Sequence, residues 1–294
     1  MKKIRKAVIP AAGFGTRFLP ATKACPKEML PIVDTPTLQY IVDECVNSGV
    51  TEILIILGRN KNNICDHFDR SPELEELLRR ANKTAELKLI TDIAYMARCH
   101  YVRQKEMLGS GNAVLEAEAF IAGEPFAVLF GDDVVYNKPP QKPALAQLIE
   151  AYNTTGKSIV GVQNVARQDA PKYGVIVPGA VKGRYTELTG IKEKPGLTEL
   201  PSTLVSMGRF VFTPQIFDYI KDIKRRPNGE YYLTDAIEAQ AKTEGVFAYE
   251  FEGRRYDVGD KLGFIEANVE YALRDPSLKD GVAAYITKLG KSLK

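Results

Sequence analysis

The run Pro10-Ala11-Ala12-Gly13-Phe14-Gly15-Thr16-Arg17 stands directly after a short apolar stretch, Ala7-Val8-Ile9. Small residues let backbone N–H groups come close to an anion, and a guanidinium adds a planar fork of donors. Ala11, Ala12, Gly13, Gly15 and Thr16 therefore read as a cradle, with Arg17 as its side-chain cation, and a triphosphate is the natural ligand. Two better-known phosphate loops are excluded by spacing. The pattern GxxxxGK(S/T) is absent. The dinucleotide fingerprint wants a third glycine at position 18, where this chain has Phe18. Asp34 lies roughly 20 residues on, as a ribose-binding acid would, but Pro20, Pro26 and Pro31 interrupt the strand–helix–strand unit that such a fingerprint needs. NAD binding is rejected on that ground. Taken alone, the glycines are also compatible with a tight turn that binds nothing.

Other residues could serve a bound triphosphate. Lys27 follows Pro26, and its ammonium is a compact point charge suited to phosphate oxygens. The apolar run 126–130 ends in Gly131-Asp132-Asp133, and a second acidic segment, Arg254-Arg255-Tyr256-Asp257-Val258-Gly259-Asp260, lies far away in sequence. Magnesium prefers oxygen ligands and takes only one or two carboxylates plus phosphate. Asp133 reads as a spare, because a neighbouring strand residue points to the opposite side, and Asp260 reads as a helix cap. Between these acids in sequence and the loop, Gln104 precedes Gly109-Ser110-Gly111-Asn112. A nucleobase edge needs paired donors and acceptors, which a glutamine amide and glycine-freed backbone supply. Each group has a plainer meaning by itself: a solvated lysine, a polar turn, a loop acid, a glycine turn with a surface glutamine.

The elements that must position these groups alternate. Apolar runs at 7–9, 53–57, 126–130 and 159–162 read as buried strands. Leu38, Ile41, Val42, Cys45 and Val46 mark one helical stripe, and Leu145, Leu148, Ile149 and Tyr152 another. Thr35-Pro36, Ser71-Pro72 and Thr213-Pro214 read as helix starts with a hydroxyl cap. Such alternation predicts an α/β fold, Rossmann-like, with a mixed but mainly parallel sheet flanked by helices and ligands at the carboxyl ends of its strands. The second half is richer in strands, at 174–177, 205–212 and 246–251, with turns at Pro178-Gly179 and Lys182-Gly183. One continuous domain over 1–294 is the simplest organisation. Residues 1–135 form the loop-bearing part, 136–260 a decorated second part, and 261–294 a helical segment broken near Asp275-Pro276, either a dimer arm or a packing helix.

The run from Gly13 to Leu30 resembles the GxGTR…PKE signature of sugar-nucleotide pyrophosphorylases. Its extended form, PATKAxPKEMLPIVDxPTxQYIVxE, is similar to that of bacterial UTP–glucose-1-phosphate uridylyltransferases, and separated motifs continue in the family order to Tyr271. The resemblance implies the nucleotide-diphospho-sugar transferase type of fold and a UTP substrate. It implies glucose 1-phosphate as the other substrate, Mg2+ as cofactor held by Asp132 and Asp257, and base contacts from Gln104 and Gly109. Arg17 and Lys27 would act on the phosphates. Lys172-Tyr173-Gly174-Val175 and Glu193-Lys194-Pro195 resemble the sugar and phosphate contacts, with Gly174 and Glu193 at the sugar and Lys194 on its phosphate. Two segments depart from the pattern. Ser110 and Asn112 stand where Leu and His are usual, and the hydroxyl resembles the N-acetylglucosamine-1-phosphate enzymes. Tyr231-Tyr232 replaces the usual Ile/Val-Gln pair before Leu233-Thr234-Asp235-Ala236. N-acetylglucosamine 1-phosphate is therefore an alternative acceptor, and a non-catalytic UTP or UDP-sugar sensor a rival from another class.

Composition narrows the rest. Apolar residues make up 45% and charged residues 26% of 294, so a packed globular core is expected. Forty basic residues against 37 acidic give only +3, which argues against nucleic acid or membrane partners. The basic start Met1-Lys2-Lys3-Ile4-Arg5-Lys6 is followed by too short an apolar stretch for a signal peptide. Cys25, Cys45, Cys65 and Cys99 form no CxxC pair, and only His67 and His100 are present, so a Cys/His zinc site and a Ser–His–Asp hydrolase are both disfavoured. The sparse cysteines fit a reducing cytosol, so a cytoplasmic protein is expected; a homodimer or homotetramer is a separate expectation that composition does not fix.

Overall fold

The structure, a computed structural model, describes residues 2–293. The first half contributes β1 (Lys6–Ala11), a small hairpin of β2 (Pro31–Ile32) and β3 (Thr35–Pro36), α1 (Thr37–Asn47), β4 (Glu52–Leu57), α2 (Asn62–Phe68), α3 (Pro72–Arg80), α4 (Thr84–Tyr95) and β5 (Arg98–Arg103). Next come α5 (Ser110–Leu115), α6 (Glu118–Ile121), β6 (Phe126–Leu129), β7 (Asp133–Tyr136), α7 (Ala144–Thr155) and β8 (Ser158–Asn164). The rest holds β9 (Gly174–Lys182), β10 (Tyr185–Glu193), β11 (Leu204–Phe212), α8 (Ile216–Asp222), α9 (Leu233–Thr243), β12 (Val246–Glu250), β13 (Arg254–Asp257), α10 (Lys261–Ala272) and α11 (Lys279–Ser292).

Nine strands form one sheet in the order β5-β4-β1-β6-β11-β8-β12-β10-β9, and β7 and β13 pair as a separate antiparallel ribbon. Side chains alternate between faces with period two, so both faces of the continuous apolar runs must be covered. Ile9, Ile53, Ile55 and Leu129 face α1 and α7; Val8, Leu54, Ile56 and Val128 face α5, α8 and α9. Parallel pairing joins β5, β4, β1 and β6, and again β8 and β12. The remaining neighbours pair antiparallel, so the parallel character lies mainly in the first half. The reason is connection length: β9 and β10 are joined at Lys182-Gly183 by a turn too short for a crossover. Pro178-Gly179 is no turn. It lies within β9, where the register with β10 shifts as at a bulge.

Three expected hydroxyl caps are not made, because the hydroxyls have other partners or none. Thr35-Pro36 forms β3, Thr35 donates to Asp34, and α1 starts at Thr37, whose hydroxyl donates to Leu30 O at 2.8 Å. Pro72 does open α3, but Ser71 accepts no N–H. Thr213 bonds Ser158 and Gln240 in the sheet-to-α9 packing. Asp260 does cap α10, accepting from Leu262 N at 3.0 Å. Residues 110–121 form two short helices, α5 and α6, and Ala122 in the left-handed region closes the second. Asp275 marks the break between the last two helices, holding Ser277 N and Oγ at 2.7 and 2.6 Å.

Candidate active site

β1 and β6 run side by side, and the chain leaves them toward opposite edges of the sheet. A crevice at their carboxyl ends is the expected ligand position in such a sheet. β1 delivers the glycine loop and β6 delivers Gly131-Asp132-Asp133. Two adjoining cavities open there. One of about 560 Å³ is lined by Ala12, Gly13, Gly15, Thr16, Gln104 and Gly109. One of about 240 Å³ is lined by Arg17, Asp132, Gly174, Thr234, Arg255 and Asp257. Ser110, Glu193 and Lys194 line both. Of the residues expected at the nucleotide, Ala11 and Lys27 line neither; the Ala11 carbonyl accepts a hydrogen bond from Lys61 Nζ at 2.5 Å.

The glycine loop folds as it does for local reasons. Gly15 has φ +66°, and a β-carbon there would meet Lys27 Cβ at 3.0 Å. Thr22 Oγ1 donates to Gly15 O at 2.8 Å and closes the loop. Lys27 comes back across it, and Lys27 Nζ lies 2.5 Å from Asp132 Oδ2. Burial would lower the Lys27 amine, but Asp132 and Glu28 outweigh it and hold its pKa above the ordinary lysine value. Loss of solvent likewise raises Asp132, but Lys27 and then Arg255 draw it below the usual aspartate range. Sequence distance between the two is 105 residues, so only the parallel β1–β6 pairing makes this contact.

Asp133 does not point away as a strand neighbour would. It is the first residue of β7, lines the smaller cavity, and accepts Arg255 Nε at 2.6 Å. Burial, against the pull of Arg255, raises its carboxyl. Arg255 also donates to Tyr173 Oη at 2.8 Å, and Tyr173 Oη donates to Asp257 Oδ2 at 3.1 Å. Arg17 reaches the same corner, 3.4 Å from Gly259 O.

Gln104 is buried; its Nε2 donates to Asn112 Oδ1 at 2.7 Å and lies 3.4 Å from Gly109 O. Gly109 has φ +92°, and a β-carbon would strike Tyr231 O at 2.7 Å. The two divergent segments thus pack on each other: Gly111 N donates to Tyr231 O at 2.9 Å, and Leu233 N donates to Ser110 Oγ at 3.1 Å. Gly174 stands beside Glu193, with a β-carbon position 3.4 Å from Glu193 Oε2. Lys194 is in the left-handed region at φ 45°, and its exposed ammonium is 3.7 Å from Glu193 Oε1.

Residues 6–274 match the nucleotidyl transferase family. The chain belongs to that family. It is 51% identical over 289 residues to UTP–glucose-1-phosphate uridylyltransferase 2 of Staphylococcus saprophyticus, covering 98% of this chain and 99% of the other. It is 50% identical over 289 residues to the UTP–glucose-1-phosphate uridylyltransferase of Bacillus subtilis, covering 98% of each chain. Among solved structures, a UDP-glucose pyrophosphorylase complexed with UDP-glucose is 41% identical with a TM-score of 0.85, over 92% of this chain and all of that one. A UTP-bound enzyme from Acinetobacter baumannii is 35% identical with a TM-score of 0.89, over 97% and 99%.

In this nucleotidyl transferase chain, sequence reasoning missed the charged residues that hold the site from behind. Glu28 sits in the Pro26-Lys27-Glu28 motif, and its side chain is buried against Lys61 Nζ at 2.8 and 3.0 Å. Lys61 also holds Ala11 O, so this pair anchors the glycine loop at its root. Gly58 serves the same junction from β4, since a β-carbon there would lie 2.5 Å from Ala12 O. Burial lowers Lys61 and raises Glu28, each against the attraction of the other. Lys61→Met leaves the Glu28 carboxylate buried without its partner, which costs about 3–5 kcal/mol. Urea unfolding reads this directly, and a loss below about 1 kcal/mol, the worth of a surface pair, would remove the anchoring role. The one signal in the sequence was the acid next to Lys27; its lysine partner 33 positions on carried none.

Proposed function

We propose that this protein transfers a uridylyl group from UTP to glucose 1-phosphate, forming UDP-glucose and releasing pyrophosphate. The observation that carries the reading is that the glycine loop, the Lys27–Asp132 pair, Asp257 and Glu193-Lys194 meet at one crevice. Gln104 and Gly109 take the uracil. Ala12, Gly13, Gly15 and Thr16 offer backbone N–H groups to the triphosphate, with Arg17 and Lys27 as cations. Gly174 and Glu193 hold the sugar ring, and Lys194 holds its phosphate. The first part of the chain, to about residue 135, thus serves the nucleotide, and residues to about 260 serve the sugar phosphate.

An oxygen of the sugar phosphate attacks the α-phosphorus in line. A new P–O bond forms as the α–β bridging P–O bond breaks, and the electron pair leaves with pyrophosphate. The phosphate is already a nucleophile, so catalysis rests on alignment and on neutralising charge as it moves to the leaving group. Arg17 and Lys27 meet that charge, and Lys194 aligns the attacking oxygen.

The donor set fits a magnesium ion. A β-carbon at Gly259 would stand 2.9 Å from Asp132 Oδ2 and 3.3 Å from Asp257 Oδ1, so two carboxylate oxygens flank one point that glycine leaves open. Asp132 and Asp257 would hold the ion, which would supply positive charge to offset that of the phosphates. Ser110, whose hydroxyl resembles the N-acetylglucosamine enzymes, is engaged at the start of α9 and gives no independent reason to change the sugar. A nucleoside triphosphate substrate fits a cytoplasmic enzyme. Among the described residues no helix is long and apolar enough to cross a membrane. Leu262, Ile265, Tyr285 and Leu289 are exposed on α10 and α11, which favours pairing between copies through this arm.

Pyrophosphate release with UTP, magnesium and a panel of sugar 1-phosphates tests the reading. The highest kcat/KM is expected with glucose 1-phosphate. UTP binding with no release for any sugar would leave the sensor instead. Lys194→Ala is expected to weaken glucose 1-phosphate binding by about tenfold or more, since a charge-assisted hydrogen bond contributes about 1.5–3 kcal/mol, with UTP affinity unchanged. Calorimetry with each ligand separates the two, and an equal defect for UTP would remove Lys194 from the sugar side.

A further inference from the structure

The bulkiest side chain fully buried among the described residues is a charged one, Arg209 in β11, at 0% exposure. It faces Glu44 of α1. Arg209 Nη2 donates to Glu44 Oε2 at 2.8 Å, and Nε lies 3.1 Å from both carboxylate oxygens. The guanidinium has donors to spare. Nη2 also donates to Asp133 O at 2.5 Å, and Nη1 to Gly208 O at 3.2 Å. Glu44 in turn accepts Leu145 N of α7 at 2.9 Å. One ion pair therefore ties two helices, the central strand and the acidic turn. Glu44 closes the Gln39-Tyr40-Ile41-Val42-Asp43-Glu44 run that carried part of the family resemblance, and no step of the transfer uses it.

Stability is a weak reason for such a pair, because well-packed apolar residues in the same space are often as stable or more so. What an apolar pair lacks is a donor for Asp133 O. The turn from 130 to 133 carries Asp132, and its backbone is tied from three directions. Phe130 N donates to Gly208 O at 2.9 Å, Val258 N donates to Asp132 O at 3.0 Å, and Arg209 holds Asp133 O. The second tie comes from the residue after Asp257. The third is the one that reaches the core.

We propose that Arg209 and Glu44 are positioning residues that fix the 130–133 turn so that Asp132 faces Asp257 across the point left open by Gly259. This rests on the reading of those two aspartates as the acids that hold the divalent ion. Groups that orient ligating carboxylates typically change metal affinity by about 10–100-fold when removed.

The test compares the wild-type chain, Asp132→Asn and the double variant Glu44→Leu/Arg209→Met. Mn2+ binding is measured by calorimetry with UTP present and no sugar phosphate, alongside thermal unfolding. The double variant is expected to unfold cooperatively at a lower temperature, since Leu145 N and Asp133 O lose their partners, and to bind Mn2+ at least about tenfold more weakly while folded, in the direction of Asp132→Asn. Wild-type Mn2+ affinity in a folded double variant, with affinity lost in Asp132→Asn, overturns this proposal alone. Wild-type affinity in Asp132→Asn overturns the aspartate reading on which it stands. Arg209→Lys covers the case in which the double variant does not fold. One ammonium lacks the fork needed to serve Glu44 and Asp133 together, so weaker Mn2+ binding is expected there too, and full affinity overturns the proposal.

Discussion

Asp132→Asn is expected to lower kcat for uridylyl transfer by about 10²–10³, or about 3–4 kcal/mol in the barrier. The change keeps the shape of the side chain and removes its charge. Val258 N still donates to the backbone carbonyl of residue 132, and the turn is still held at Phe130 and Asp133, so the fold has little reason to move. What disappears is one of the two carboxylates beside Gly259 and the counter-charge of Lys27. A group whose interaction matters only as charge shifts in the transition state lowers kcat and kcat/KM together, whereas a ground-state contact would appear mainly in KM. Steady-state kinetics at saturating magnesium decide it: a kcat within about threefold of wild type would take Asp132 out of the chemistry. Asp133→Asn is the contrasting case. Asp133 is paired with Arg255 rather than with Lys27, so the expected change there is loss of stability with a smaller effect on turnover.

The parts of this site that could be read in the sequence are those set by the backbone. A strand followed by small residues must end in a loop with free N–H groups, and an apolar run followed by two aspartates must deliver them to the same edge of a parallel sheet. Gln104 was legible as an amide just before a glycine turn, and the structure places it directly after β5. The parts that were not legible are the charged partners brought by distant elements. Lys61 lies in the residues just before α2, Arg209 sits in the middle of an apolar strand, and Arg255 lies between two acids whose use of it depends on the β7–β13 ribbon. Nothing local distinguishes them from solvated charges. The same limit explains the failed caps: a hydroxyl before proline is a good cap only when tertiary packing leaves it free, and Thr213 is held by Ser158 and Gln240 instead.

Lys27→Met is expected to separate two roles of one amine. Its ammonium is paired with Asp132 at 2.5 Å, on the carboxylate that the proposed metal needs. In the proposed reaction it meets the phosphates. On that reading a bound triphosphate would draw Lys27 away and free Asp132, so metal and nucleotide are expected to bind together. Methionine keeps most of the length and the apolar stem of lysine and lacks the charge. Without UTP, Mn2+ should therefore bind Lys27→Met more tightly than wild type, by about tenfold, since opposite charges this close near a protein surface attract by several kcal/mol and the ion no longer competes with them. With UTP and sugar phosphate, kcat should fall by about 10²–10³, because a cation facing the leaving pyrophosphate is gone. The two shifts have opposite signs, so a general loosening of the site cannot produce both. If Mn2+ binds the variant no better than the wild type in the absence of UTP, the contact with Asp132 is not a competitor for the ion. If turnover survives, the amine does not meet the leaving group, and the charge there must be carried by Arg17 and the metal.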